Sequence, residues 1–331
     1  MSERPVHSNS AAAGQQASAS PGASLSASLS ASLSAPIDIA LVRRLFSRPQ
    51  RVAEADFLRR EIANRMHERL ALIKIAPQHM LDAGCGAGAD LGLLHTQFPA
   101  AALLGLDLSP AMLAQAAAPR PPSGVQRWLS KLLPGRAGAA LVCADFSQLP
   151  LAANSLDLIW SNLALHWHAQ PDRVFAEWRR VLRLHGLLMF SCFGPDTFKE
   201  LRSAFAASGV AQAAPVLPFV DMHDFGDMLV GAGFATPVMD METLTITYPN
   251  ADKLLADVRA LGGNPLRPRA RGLGGRRRWQ AVKSALERMR RADGTIGLTI
   301  EVIYGHAFRP VARSTAQGEA IIRFDLPKKP R

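Results

Sequence analysis

The sequence predicts a doubly wound α/β fold, a mostly parallel sheet with helices on both faces. Three observations carry this. Short apolar runs alternate with helical patterns from residue 79 onward; the first run enters a glycine-rich turn, LDAGCGAGAD (residues 81–90); and the first three runs end at or beside an aspartate, Asp82, Asp107 and Asp145. In a parallel sheet such ends share the edge where ligands bind.

The elements follow in order. Residues 8–35 repeat Ala, Ser and Leu with hardly any charge and offer little to pack, so residues 1–36 read as a disordered tail. A helical lid is expected over 37–78: Val52, Phe57, Ile62, Met66, Leu70 and Ile73 space one apolar face between Pro49 and Ile75, with Arg59, Arg60, Glu61 and Arg65 opposite. The body spans 79–313. HMLDA makes a strand, DLGLLHTQF a helix, AALLGLDLS a second strand, and PAMLAQAA a helix opened by Pro110 behind the cap Ser109. Residues 119–138 read as an inserted loop with a short helix around Val125–Leu133. AALVCAD and LDLIWSN continue the strands, PDRVFAEWRRVLR makes a helix, and GLLMFSCF a fifth strand. Beyond Pro195 the rhythm changes. Helices near 197–207 and 221–232 precede the alternating VMDMETLTITY, and a basic helical insertion over 250–293 precedes TIGLTIEVIYGHAF, with 314–331 as a C-terminal tail.

Composition narrows the class of function. The 331 residues are 48% hydrophobic, ample for a core, and the net charge of +11 points to acidic partners. Cys85, Cys143 and Cys192 stand far apart, which suggests neither a metal knuckle nor a disulfide scaffold. No run of 18 or more apolar residues occurs, so no membrane partner is expected and the reading is a cytoplasmic enzyme. His166 and His168 lack a carboxylate beside them, so no metal site is expected.

The glycines leave the cofactor open. Gly84-x-Gly86-x-x-Ala89 satisfies a relaxed dinucleotide fingerprint, while Gly84-x-Gly86-x-Gly88 behind Asp82 fits S-adenosylmethionine equally well. Asp107 lies roughly twenty residues on, where a carboxylate can accept from ribose hydroxyls in either case. Asp145-Phe146 separates the two: a carboxylate for the adenine amino group beside a ring for its face belongs to the S-adenosylmethionine layout. The expected cofactor-binding set is Asp82, Gly84, Gly86, Gly88, Asp107, Leu108, Asp145, Phe146 and Asn162.

LDAGCGAG, LGLDLSPAMLAQA, ADFSQLPLAANSLDLIWSNLALHW and VLRLHGLLMFS resemble the successive motifs of class I methyltransferases over residues 79–193. The resemblance implies a Rossmann-like sheet of seven strands with helical insertions at the cofactor edge. More narrowly, SNLALHW, FSCFGPDTFKELRSAF, DMHDFGDMLVGAGF and LTITYP resemble the malonyl-acyl-carrier-protein O-methyltransferases of biotin synthesis. That implies methyl transfer to the free carboxylate of a malonyl thioester on acyl carrier protein. An ionised carboxylate needs no general base. Arg202 is then the candidate for orienting that carboxylate, and His166, with His168, a candidate wall of the acceptor pocket. The one-signed run that includes Arg276, Arg277 and Arg278 suits an acidic carrier. Nucleic acid is disfavoured, because Asn162 is followed by Leu-Ala rather than the Pro-Pro-aromatic of base-amino methylation. In one place the chain departs from the family: the lid offers Phe46 and Phe57 where a Tyr is usual. Two alternatives therefore stand beside this reading, a protein arginine hydroxylase resembling an assembly factor of this fold and a non-catalytic S-adenosylmethionine-binding assembly protein, with a small-molecule methyltransferase using His166 or His168 as base behind them.

Overall fold

The computed structural model describes residues 36–118, 139–209, 216–267 and 275–311. Both expected tails, the short helix around 125–133, and Arg269 and Arg271 of the basic run lie outside the described residues. The helices are α1 (Ile39–Leu45), α2 (Pro49–Ala53), α3 (Asp56–Ala71), α4 (Leu91–Gln97), α5 (Pro110–Ala117), α6 (Pro171–Val181), α7 (Lys199–Ala207), α8 (Met222–Gly231), α9 (Ala251–Ala260) and α10 (Arg276–Glu287). The strands are β1 (His79–Ala83), β2 (Ala102–Asp107), β3 (Ala140–Cys143), β4 (Leu156–Asn162), β5 (Leu182–Phe193), β6 (Ala235–Tyr248) and β7 (Ile296–Phe308). They form one seven-stranded sheet in the order β3-β2-β1-β4-β5-β7-β6. β1 to β5 pair in parallel, and β7 runs antiparallel to both β5 and β6.

Strand alternation splits the core into two layers, one on each face of the sheet. Met80, Leu158, Trp160, Leu187 and Met189 face α3, whose Leu58, Ile62, Met66 and Leu70 cover them. Their neighbours Leu81, Ile159, Leu188 and Phe190 face the other way, against Val174, Phe175 and Trp178 of α6 and Phe225 and Leu229 of α8. Helix starts are set locally: Ser109 caps α5, Asp221 caps α8 and Asn250 caps α9 through side-chain oxygens that accept backbone N–H groups.

The lid corrects the expectation of one helix over 49–75. The chain bends at Ala55 (φ −106°, ψ 15°) and makes two helices there rather than one, behind the separate α1. Val52, Ile62, Met66 and Leu70 are buried as expected, but Leu58, 2% exposed, takes the core position expected of Phe57, which is 48% exposed. Likewise α6 stops at Val181, because Leu182 turns extended (ψ 143°) and opens β5 four residues earlier than the glycine at 186 suggested.

Register explains where the late insertion goes. β5 ends at Phe193, which faces Val302 of β7, and Val302 in turn faces Glu242 of β6. The pairs from Thr243↔Glu301 to Tyr248↔Ile296 therefore continue as a two-stranded ribbon beyond the carboxyl end of β5. α9 and α10 connect the far end of that ribbon, above the same sheet edge that carries the glycine turn. The segment after α9 also holds the start of the lid: Asp38 N–H donates to the Pro265 carbonyl (2.9 Å) and Arg267 N–H to the Pro36 carbonyl (2.9 Å). Ile37 and Leu266 bridge there and bury together with Val42 and Leu217.

Phe190 sits fully buried between Phe175 and Phe225, while Val238 lies on the exposed face of β6. Phe190→Ala should lower unfolding free energy by about 3–5 kcal/mol in urea titration. Val238→Ala should stay within about 0.5 kcal/mol of the parent.

Candidate functional site

A cavity of about 640 Å³ lies at the carboxyl edge of β1, β2 and β4, beneath the lid helices. Its size is that of a pocket for a ligand the size of a nucleoside derivative. One wall is the turn after β1. Gly84 and Cys85 N–H both donate to the Leu106 carbonyl (2.8 and 2.9 Å), folding the turn back onto β2. Gly84 is required twice over: its φ is +85°, and a Cβ there would stand 2.3 Å from the Ala164 Cβ.

Asp107 ties this turn to the next helix. Its Oδ2 accepts from Gly86 N–H (2.9 Å) and its Oδ1 from Ser109 N–H (2.7 Å). Burial pushes its pKa up and these two donors pull it back. Each oxygen keeps a second lone pair for a ligand in the cavity. Asp82 is different. It is buried, its Oδ2 has no hydrogen-bond partner, and burial, then the charges of Asp90 and Asp107, raise its pKa well above the carboxylate range. An orphaned buried carboxyl oxygen in a cavity wall is a place for a cationic ligand group.

The remaining expected cofactor residues reach the wall, in different states, with the exception of Gly88. Leu108, Gly86, Asp145, Phe146 and Asn162 line the cavity; Gly88 does not, although it belongs to the same turn. Asp145 caps its own turn by accepting from Ser147 N–H (2.8 Å), and the Phe146 ring is held edge-on to Trp178 at 5.8 Å. Asn162 is committed elsewhere. Its amide donates to the Arg59 carbonyl and to Asp90 Oδ2 (3.0 Å each), and its oxygen accepts from Ser191 Oγ (2.8 Å). Both amide hydrogens are thus used in holding α3 and the turn to the end of β4. Asp90 is the partner that sequence reasoning missed: it accepts from the Trp160 indole as well (2.9 Å). Burial raises its pKa, against the pull of Trp160, Asn162 and the charge of Arg59. Its position closing LDAGCGAGAD was the available signal.

The candidates for the acceptor side divide. His166 lines the cavity, 8% exposed, in a short turn over Leu165–Trp167. Its ring stands 4.7 Å from Phe193 and 4.8 Å from Trp167, and neither nitrogen has a hydrogen-bond partner. Burial lowers its pKa to about 3, so it is neutral throughout the physiological range. His168 also lines the wall, with burial lowering its pKa and Nδ1 engaged by Gln170. Arg202 does not reach the cavity, which corrects the expectation for it. Its guanidinium donates to the Thr197 (2.6 Å) and Pro195 carbonyls and is spent on fastening the loop after β5. Arg276, Arg277 and Arg278 are likewise absent from the wall; α10 packs on α7 through Phe205 and Trp279 (6.0 Å). The guanidinium groups that do line the cavity are Arg43, Arg59 and Arg60, from the lid. Arg59 was expected on the solvent side. Instead it donates to the Val52 carbonyl (2.7 Å) and Asp56 (3.0 Å), because the bend at Ala55 turns it inward. Phe46 closes the lid edge-on against Trp167 at 5.3 Å, and its carbonyl accepts from Ser109 Oγ (3.0 Å).

Gly84→Ala should cost about 1–2 kcal/mol from its left-handed backbone alone, plus a steric cost against Ala164. Adding Ala164→Gly should recover the steric part and leave the backbone part, so a double-mutant cycle in denaturant should show coupling of at least about 0.5 kcal/mol.

The comparisons with known proteins agree with this geometry. Residues 81–190 match the methyltransferase domain family. The fold resembles the YcgJ protein of Bacillus subtilis (TM-score 0.51, 14% identity, 76% of this chain and 100% of that one). It also resembles a candidate methyltransferase of Bacillus halodurans (TM-score 0.51, 16% identity, 75% and 99%). In sequence the chain is 48% identical over 292 residues to the malonyl-acyl-carrier-protein O-methyltransferase of Laribacter hongkongensis, covering 87% of this chain and 96% of that one. It is 46% identical over 289 residues to the protein of the same name from Gallionella capsiferriformans, again covering 87% and 96%. With a glycine turn, a ring of aspartates and a lidded cavity on a seven-stranded sheet, and this identity over nearly the whole length of its relatives, the chain belongs to the malonyl-acyl-carrier-protein O-methyltransferase family of class I methyltransferases.

Proposed function

We propose that the chain methylates the free carboxylate of a malonyl thioester carried on acyl carrier protein, with S-adenosylmethionine as donor, in biotin synthesis. The observation that carries the choice of acceptor is His166. With a pKa of about 3 the His166 ring is a poor base near neutrality, and Nδ1 of His168 is engaged by Gln170. This wall suits an acceptor that arrives already ionised, as a carboxylate does.

The residues present fit the donor. The orphaned Asp82 oxygen suits the α-ammonium, the free lone pairs of Asp107 suit the ribose hydroxyls, and Asp145 with Phe146 suits the adenine. Arg59, near enough to Asp90 to lower its pKa, suits the α-carboxylate. When bound, S-adenosylmethionine supplies a methyl group on a positive sulfonium; a carboxylate oxygen gains it as the carbon–sulfur bond breaks, and no proton moves. The protein's part is placement and exclusion of water. The lid, closed by Phe46 on Trp167, excludes water, and the unpartnered His166 nitrogens offer a neutral donor for the thioester or carboxylate oxygen. Among the described residues no helix is long and apolar enough to cross a membrane.

Purified protein with methyl-labelled S-adenosylmethionine and malonyl carrier protein should yield a base-labile methyl ester. Cofactor binding without ester would sink the reading; hydroxylated arginine on a protein partner would replace it. His166→Phe keeps the ring and removes both nitrogens, and should lower kcat/KM by about tenfold. Because His166 is already neutral, neither parent nor variant should show a rate limb from it between pH 6 and 8. The raised pKa of Asp82 sets the sign of a second dependence. An ammonium beside Asp82 favours its ionised form, so cofactor affinity should rise as pH rises through that raised pKa, with a proton released on binding below it. Calorimetry in buffers of differing ionisation enthalpy measures this, and Asp82→Asn should abolish the release.

A further inference from the structure

The exposed part of the cavity wall tells where an acceptor arm comes in. Ile39, Arg43, Gln50, Ala53 and Arg60 are exposed wall residues from the three lid helices, and Gln115 and Ala118 are exposed at the end of α5. The late helices contribute only the buried Leu261. The mouth therefore opens beside the lid and away from α10.

The lid is strongly basic at that rim. Between residues 36 and 60 stand six arginines against three acids. The acids are largely occupied: Asp38 caps α1, and Asp56 pairs with Arg59 and Arg60. Arg43, Arg44 and Arg48 are exposed and have no carboxylate partner among the described residues. In the late basic stretch Lys283 pairs with Asp252 and Arg290 with Glu287, and the exposed Arg276 and Arg277 stand outside the cavity wall. Arginines in the last turn of α1 also complement its dipole, but that needs no cluster continuing to Arg48.

We propose that Arg43, Arg44 and Arg48 form the docking surface for the acidic carrier protein, with Arg43 at the cavity wall meeting the phosphate of its phosphopantetheine arm. The assignment rests on the acceptor reading above. The arm has a fixed length, so its carrier must sit on the rim of the mouth, and these arginines are exposed, unpaired positive charge there among the described residues. A rim of this kind acts mainly on encounter and is weakened by salt.

Arg44 and Arg48 lie outside the cavity wall, so Arg44→Glu/Arg48→Glu tests the surface without touching the pocket. The double variant should raise KM for malonyl carrier protein about tenfold at low salt, with kcat kept. Its KM for malonyl-N-acetylcysteamine, which has no carrier, should stay within about twofold. Anisotropy of fluorescently labelled holo-carrier, read without any methyl donor, should show the same loss of affinity. Arg276→Glu/Arg277→Glu should leave both measurements within about twofold. Equal carrier affinity in the Arg44/Arg48 variant and the parent, or loss only in the α10 variant, overturns the docking surface. Failure of the parent to esterify either thioester overturns the acceptor reading instead, and the anisotropy arm still decides the surface.

Discussion

The carboxylate of Asp107 joins two pieces of chain that would otherwise be independent. One oxygen holds the amide of Gly86 and the other the amide of Ser109, so the glycine turn after β1 and the cap of α5 are fixed relative to each other by a single side chain. Around it the sheet edge closes: Gly84 presses on Ala164 at the end of β4, and Ser109 reaches across to the backbone of Phe46 in the lid. Turn, strand end and lid are thereby one unit. The cavity has the shape it has because none of these parts can move alone.

That unit concentrates negative charge in a place that burial makes expensive. Asp82, Asp90 and Asp107 stand together, and each has its pKa raised by burial. Asp90 is compensated by Trp160 and Asn162, and Asp107 by backbone amides. Asp82 has the one oxygen left unanswered, which makes it the point where a positive ligand group gains most. Across the cavity the chemistry is opposite in character: neutral histidine, aromatic rings and lid arginines. An anion can be received there without a base to prepare it.

The late third of the chain performs two separate tasks. β6 and β7 extend beyond β5 as a ribbon, and α9 with the segment after it reaches back over the edge, where Leu266 pairs with Ile37 and buries the start of the lid. Its basic helix α10 stands apart from this, packed on α7. Charge density in the sequence does not say which face borders the mouth: Arg276, Arg277 and Arg278 are absent from the cavity wall, while Arg43 and Arg60 of the lid are part of it.

Much of the fold was legible in the sequence. Seven strands, their order of appearance and the Ser109 cap follow from apolar periodicity and local turn chemistry, which act over a few residues. The glycine turn and Asp82, Asp107, Asp145 and Phe146 were legible for the same reason: each sits at a strand end, and strand ends in a parallel sheet share one edge. Only the tertiary structure decided the rest. It turned Arg59 inward through one bend at Ala55, spent Arg202 on loop carbonyls, and committed Asn162 to Asp90 and Ser191. Those outcomes depend on which backbone groups, far off in sequence, come within hydrogen-bond reach of a side chain. Residue type and spacing encode the capacity to bond; packing chooses the partner.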